Sequence, residues 1–182
     1  HRPTALPANR SILILGNSHA RQVATAWACQ YATDIIHIER YDIYRSDPFM
    51  VTRIDFSNDS VLWIVANSYV EHSPSWRILL EAQLRNTSLR DMDAVVLGVF
   101  NGCIGNTRTL FYKNTMEMTA GLDHVDCRQY DGPSVAQMRH AYDGPLAFLT
   151  PFSVSHQRQI VQAWNEINET FPETATPLTF VN

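Results

Sequence analysis

The apolar positions of this chain fall into two rhythms. Short unbroken apolar runs stand apart from longer stretches in which apolar residues recur every three or four positions. Ser11-Ile12-Leu13-Ile14-Leu15-Gly16 is the first run, and its row of four apolar residues predicts a strand buried on both faces. Ser60–Ala66, Ala94–Phe100 and Leu146–Thr150 repeat the pattern. Ile35–Ile38 and Pro177–Val181 are shorter runs that predict a second strand and a closing strand. Between them lies the helical rhythm. Val23, Ala24, Trp27 and Tyr31 predict a helix over 19–32. Ser73-Pro74 is a start signal, and Trp76, Leu79, Leu80 and Leu84 carry a helix on to Arg85. Leu110, Met116 and Met118 predict a less regular helix within 108–120, and Val135, Met138 and Tyr142 a short one ending at Asp143-Gly144. Ile160, Val161, Trp164 and Ile167 predict the last, over 156–170. Residues 1–10 read as an extended lead-in, and residues 41–60 show no period. The rings of Tyr41, Tyr44, Phe49 and Phe56 in that second stretch suit the closing of one end of a core.

Buried strands alternating with amphipathic helices predict an α/β fold, with a mostly parallel sheet covered on both faces. The chain, residues 1–182, suits one domain. In such sheets the active crevice lies beyond the carboxyl ends of the strands. Gly16–Ser18, Asn67, Asn101 and Pro151 all fall at such ends.

Composition narrows the partners. The net charge of −4 is mild and no basic block exists, which argues against nucleic acid. No apolar run approaches the length that spans a bilayer. Cys29, Cys103 and Cys127 have no zinc-like spacing, and neither a metal nor a cofactor is expected. One disulfide with one free thiol is one arrangement, Cys103–Cys127 being the pair expected; three reduced, mostly buried thiols is the other. Asn58-Asp59-Ser60, Asn86-Thr87-Ser88 and Asn168-Glu169-Thr170 are sequons for N-glycosylation. With the opening His1-Arg2-Pro3, which reads as a processed start, they point to a secreted or luminal protein.

Ser18 is the first candidate for chemistry. It lies where a buried strand turns into a helix, beside unpaired backbone N–H groups and the positive end of the helix dipole. A hydroxyl so placed suits a nucleophile with part of an oxyanion hole beside it. The simpler role is a helix cap. Asn101 ends another apolar run, in Gly98-Val99-Phe100-Asn101-Gly102, where an amide can donate to a developing oxyanion or serve turn chemistry. Asn67 is the substitute, since it too follows a buried strand. Among the histidines, His156 follows the run ending at Pro151 and opens the last helix, so it reaches the crevice; His124, beside Asp123 and Asp126, is the alternate.

Gly16-Asn17-Ser18-His19 resembles the opening motif of the SGNH, or GDSL-like, esterases, and most of all the branch with Gly-Asp-Ser-His. That branch includes polysaccharide O-acetyltransferases and PC-esterase-type domains. The resemblance implies a three-layer α/β/α sandwich with Ser18 as nucleophile. It also implies an oxyanion hole from the Ser18 N–H and an asparagine such as Asn101, and a late histidine such as His156. The implied substrate is an acyl, chiefly acetyl, ester of a glycan or small molecule. The chain departs from the pattern in two places: it has no glycine between Gly16 and Gly98, and Ser153 stands where the family's Asp-x-x-His would put its aspartate. A second alignment puts that Asp-x-x-His beyond Asn182. These departures motivate the alternative: a catalytically inactive module of the same fold, serving glycan binding or assembly within a larger extracellular protein.

Overall fold

The computed structural model describes residues 7–16, 18–41, 51–65, 76–98 and 141–149, with 157, 158, 161, 164, 165, 168, 169, 172 and 177–181. Seven strands form one sheet: β1 (Ser11–Gly16), β2 (Ile35–Tyr41), β3 (Val51–Phe56), β4 (Val61–Val65), β5 (Ala94–Gly98), β6 (Leu146–Leu149) and β7 (Phe180–Val181). Their order across the sheet is β2-β3-β4-β1-β5-β6-β7. The neighbours from β4 to β7 are parallel, while β3 runs antiparallel to both β2 and β4. The sheet is therefore mixed, although mostly parallel.

Each strand sends alternate residues to opposite faces, and each face has its own core. Leu13, Leu15, Trp63, Val65, Val95, Leu97 and Phe148 pack on one face with Leu80 of α2 (Trp76–Gln83), Leu84 just past its end, and Trp164. Ile14, Leu62, Ile64 and Leu149 pack on the other with α1 (Ser18–Cys29). The part of α1 that meets the sheet is an alanine row, Ala20, Ala24 and Ala28, at four-residue spacing. Of the expected stripe, Ala24 and Tyr31 are buried, while Val23 and Trp27 are only partly buried at the flank. Small side chains let the helix axis approach the strands closely.

Several elements depart from the sequence expectation. The first helix ends at Cys29, not 32. Gln30 and Tyr31 donate to carbonyls three residues back, on Trp27 and Ala28, which tightens the last turn. The second strand runs on to Tyr41. Within 41–60, expected to be an irregular connection, lies β3. Its period is masked because Arg53 and Asp55 share the face on which Val51 is buried. They pair with each other at 2.7 Å, and Arg53 lies over the Trp63 ring, 5.1 Å from its centroid. Ser57, Asn58 and Asp59 turn β3 into β4, with Asp59 in the left-handed region at φ 63. Phe56 is buried, as a ring closing a core should be. His37 is exposed on β2, an outermost strand of the sheet. The expected helix within 108–120 lies outside the described residues; of the short one predicted to end at Asp143-Gly144, Ala141 is helical and Tyr142, Asp143 and Gly144 lie past the helix end. Gln157, Arg158, Val161, Trp164, Asn165, Asn168 and Glu169 are helical, as the last predicted helix requires.

The amino end of the sheet is tied together by polar contacts. The Arg10 guanidinium meets the Asp93 carboxylate at 2.6 Å, and the Ser11 N–H donates to the same carboxylate at 2.8 Å. Ser60, 1% exposed, accepts from the Arg10 N–H and donates to the Pro7 carbonyl. Residues 7–10 are thus fastened to the turn before β4 and to the residue before β5.

Candidate functional site

In a parallel sheet the place where strand order reverses opens a crevice at the carboxyl ends. Here the chain moves from β1 to one side for β4 and to the other for β5, so the reversal lies between β1 and β5. The last residues of these two strands, Gly16 and Gly98, face each other in register. Both are glycines for a steric reason. A Cβ on Gly16 would lie 2.8 Å from the Ala20 Cβ and 3.0 Å from the Gly98 Cα. A Cβ on Gly98 would lie 2.6 Å from the Ala20 Cβ. The first turn of α1 is therefore pressed against both strand ends.

Ser18 is the first residue of α1, one residue earlier than the sequence predicted. Its backbone stands at the mouth of the β1/β5 seam, two residues past Gly16. The first turn of a helix has N–H groups without intrahelical partners and carries partial positive charge. The geometry thus offers a place where negative charge is favoured, directly beyond the sheet. Asn67, Asn101, His124 and His156 lie outside the described residues, as do Cys103 and Cys127. Cys29 is a free, exposed thiol at the other end of α1.

Among the described residues, the groups with displaced pKa values lie elsewhere. The Ser11 N–H and then the Arg10 guanidinium hold the Asp93 carboxyl below its usual range, at the amino end of the strands. Burial pushes the Tyr41 phenol up; its hydroxyl donates to the Gln83 carbonyl. For Glu81 burial acts upward, but the Leu89 N–H and the Arg77 guanidinium outweigh it, and the carboxyl titrates below its usual range. These three groups serve the fold. Among the described residues no cluster of three histidine, cysteine or acidic side chains could hold a metal ion, and no helix is long and apolar enough to cross a membrane.

The sequence reading singled out Ser18 but missed the part played by Gly98 and Ala20. The signal was partly present: glycine closes the first apolar run, Gly98 interrupts the run from Ala94 to Phe100, and alanine stands four residues after Gly16. Compared with known proteins, the chain matches no family model, no curated protein and no solved structure.

Proposed function

We propose that this chain is a serine-dependent carbohydrate esterase or O-acetyltransferase of SGNH type, acting on acetyl esters of glycans, in a three-layer α/β/α domain. The observation that carries the reading is the place of Ser18, at the start of α1 and beyond the β1/β5 reversal. The Gly16-Asn17-Ser18-His19 motif supports it from the sequence side. Asn101 comes three residues after the end of β5, and His156 directly precedes helical Gln157.

In this mechanism the Ser18 hydroxyl attacks the ester carbonyl carbon while His156 accepts its proton. The Ser18 N–H and the Asn101 carboxamide donate to the tetrahedral oxyanion. The sugar alkoxide leaves with the proton from His156, and the acyl group stays on Ser18. Water or a second sugar hydroxyl then attacks the acyl-serine, gives its proton to His156 and restores the free hydroxyl. No cofactor takes part.

Ser18→Ala is expected to abolish acetate release from acetylated sugars and from p-nitrophenyl acetate, with the fold intact by circular dichroism. Asn101→Ala is expected to lower kcat about 100–1000-fold, as loss of one oxyanion donor does. Wild-type turnover in Ser18→Ala would exclude Ser18 as nucleophile. A fluorophosphonate probe separates the enzyme from the alternative. Labelling at Ser18 fits the enzyme, while no labelling together with glycan binding fits the inactive module, which the absent glycine and Ser153 motivate.

A further inference from the structure

The sequons Asn58-Asp59-Ser60 and Asn86-Thr87-Ser88 sit in unlike places, although the sequence makes them look equivalent. Asn58 is built into the knot at the amino end of the sheet. Its carboxamide oxygen accepts the Ser60 N–H at 3.2 Å, and its carbonyl accepts the Asn9 N–H at 3.0 Å. The Ser60 hydroxyl is 1% exposed and committed to Arg10 and Pro7. Asn86 is exposed just past α2, at φ 61. Its backbone N–H closes the helix end on the Glu81 carbonyl at 2.7 Å. Fixed through its main chain, the residue is exposed at a helix end, and no hydrogen bond of its side chain ties it to the described residues' packing.

We propose that Asn86 is an acceptor for an N-linked oligosaccharide and that Asn58 is not. The donor is an oligosaccharide carried on a lipid pyrophosphate. The Asn86 Nδ2 attacks the anomeric carbon, a C–N bond forms, the bond from that carbon to pyrophosphate oxygen breaks, and the amide nitrogen loses one proton. The lipid pyrophosphate departs with the electron pair. A sugar transferred to a chain still being made must be accommodated as that chain folds. At Asn86 it extends into solvent. At Asn58 it would crowd the place where residues 7–10 cross the turn before β4. The proposal is independent of the chemistry assigned to Ser18.

The test is to secrete the full chain from eukaryotic cells and treat it with peptide-N-glycosidase in heavy-oxygen water. Peptide mass spectrometry then locates each asparagine converted to labelled aspartate. Label at Asn86 and none at Asn58 is the expected result, and Asn86→Gln should lose the gel shift that the glycosidase produces. Secreted protein with Asn86 unmodified, or with sugar on Asn58, overturns the proposal. Mapping the wild-type chain keeps the result readable if a variant fails to fold.

Discussion

Three residues without bulk fix how α1 meets the sheet. Gly16, Gly98 and Ala20 leave no room for another methyl group, since Cβ positions on the two glycines fall 2.8 and 2.6 Å from the Ala20 Cβ. Gly98→Ala is therefore expected to destabilise the domain by about 1–3 kcal/mol, the usual cost of overpacking. Urea denaturation measures it. Adding Ala20→Gly removes the collision, so the double variant should be more stable than the sum of the two single losses implies. An additive result would show that Gly98 and Ala20 do not share one contact. The position of Ser18 follows from this packing, because the turn that carries it is the turn held down. At this scale the sequence disclosed the serine and the glycines separately. Their mutual contact was hidden, because Gly16 and Gly98 are far apart in the chain and meet only through strand pairing.

Elements were legible where both faces of a strand are apolar. β1, β4, β5 and β6 all announce themselves as unbroken runs, and all lie in the interior of the sheet. β3 did not, because charged residues occupy one of its faces: Arg53 and Asp55 neutralise each other and the guanidinium covers Trp63. Alternation is a signal of burial against apolar neighbours, and a strand that covers a tryptophan with an arginine escapes it. Of the candidate site, only the Gly16–Ser18 turn was readable from local pattern, since any partner for Ser18 comes from distant segments. The end of α2 shows a second local rule overridden. Asn86 donates to the Glu81 carbonyl and Arg85 to the Ala82 carbonyl, the bond pattern of a helix end that usually places glycine where Arg85 stands at φ 55. Arg85 occupies it because its guanidinium pairs with Glu39 and lies 4.8 Å from the Tyr41 ring centroid. Arg85→Ala loses those contacts and keeps the backbone strain, whereas Arg85→Gly loses the contacts but relieves the strain. The glycine variant should therefore be the more stable of the two by about 1 kcal/mol in thermal or denaturant unfolding. Equal stabilities would mean that the left-handed position carries no cost here.

Across the whole molecule, the two ends of the sheet do different work. The carboxyl end holds the candidate chemistry, and the amino end is fastened by Asp93, Arg10 and Ser11. The folded pKa of Asp93 lies below its unfolded value of about 3.9, so its stabilising effect is complete above that pH. The effect is lost as pH falls through the folded pKa. Asp93→Asn should lower Tm at neutral pH, and the gap from wild type should close as the solution is acidified from about pH 4 downward. A gap that stays constant through acid would mean that charge on Asp93 plays no part. The central strand is also the earliest in the chain. β1 lies between β4 and β5, and Ser11 waits for Val61, fifty residues later, before its first ladder can form. At about 5–20 residues per second of ribosomal synthesis, that wait is roughly 3–10 s. For those seconds Ile12-Leu13-Ile14-Leu15 is an unpartnered greasy segment on a nascent chain, a natural client for holdase chaperones. Slowing translation ahead of codon 65 would lengthen its exposure and lower the yield of soluble protein.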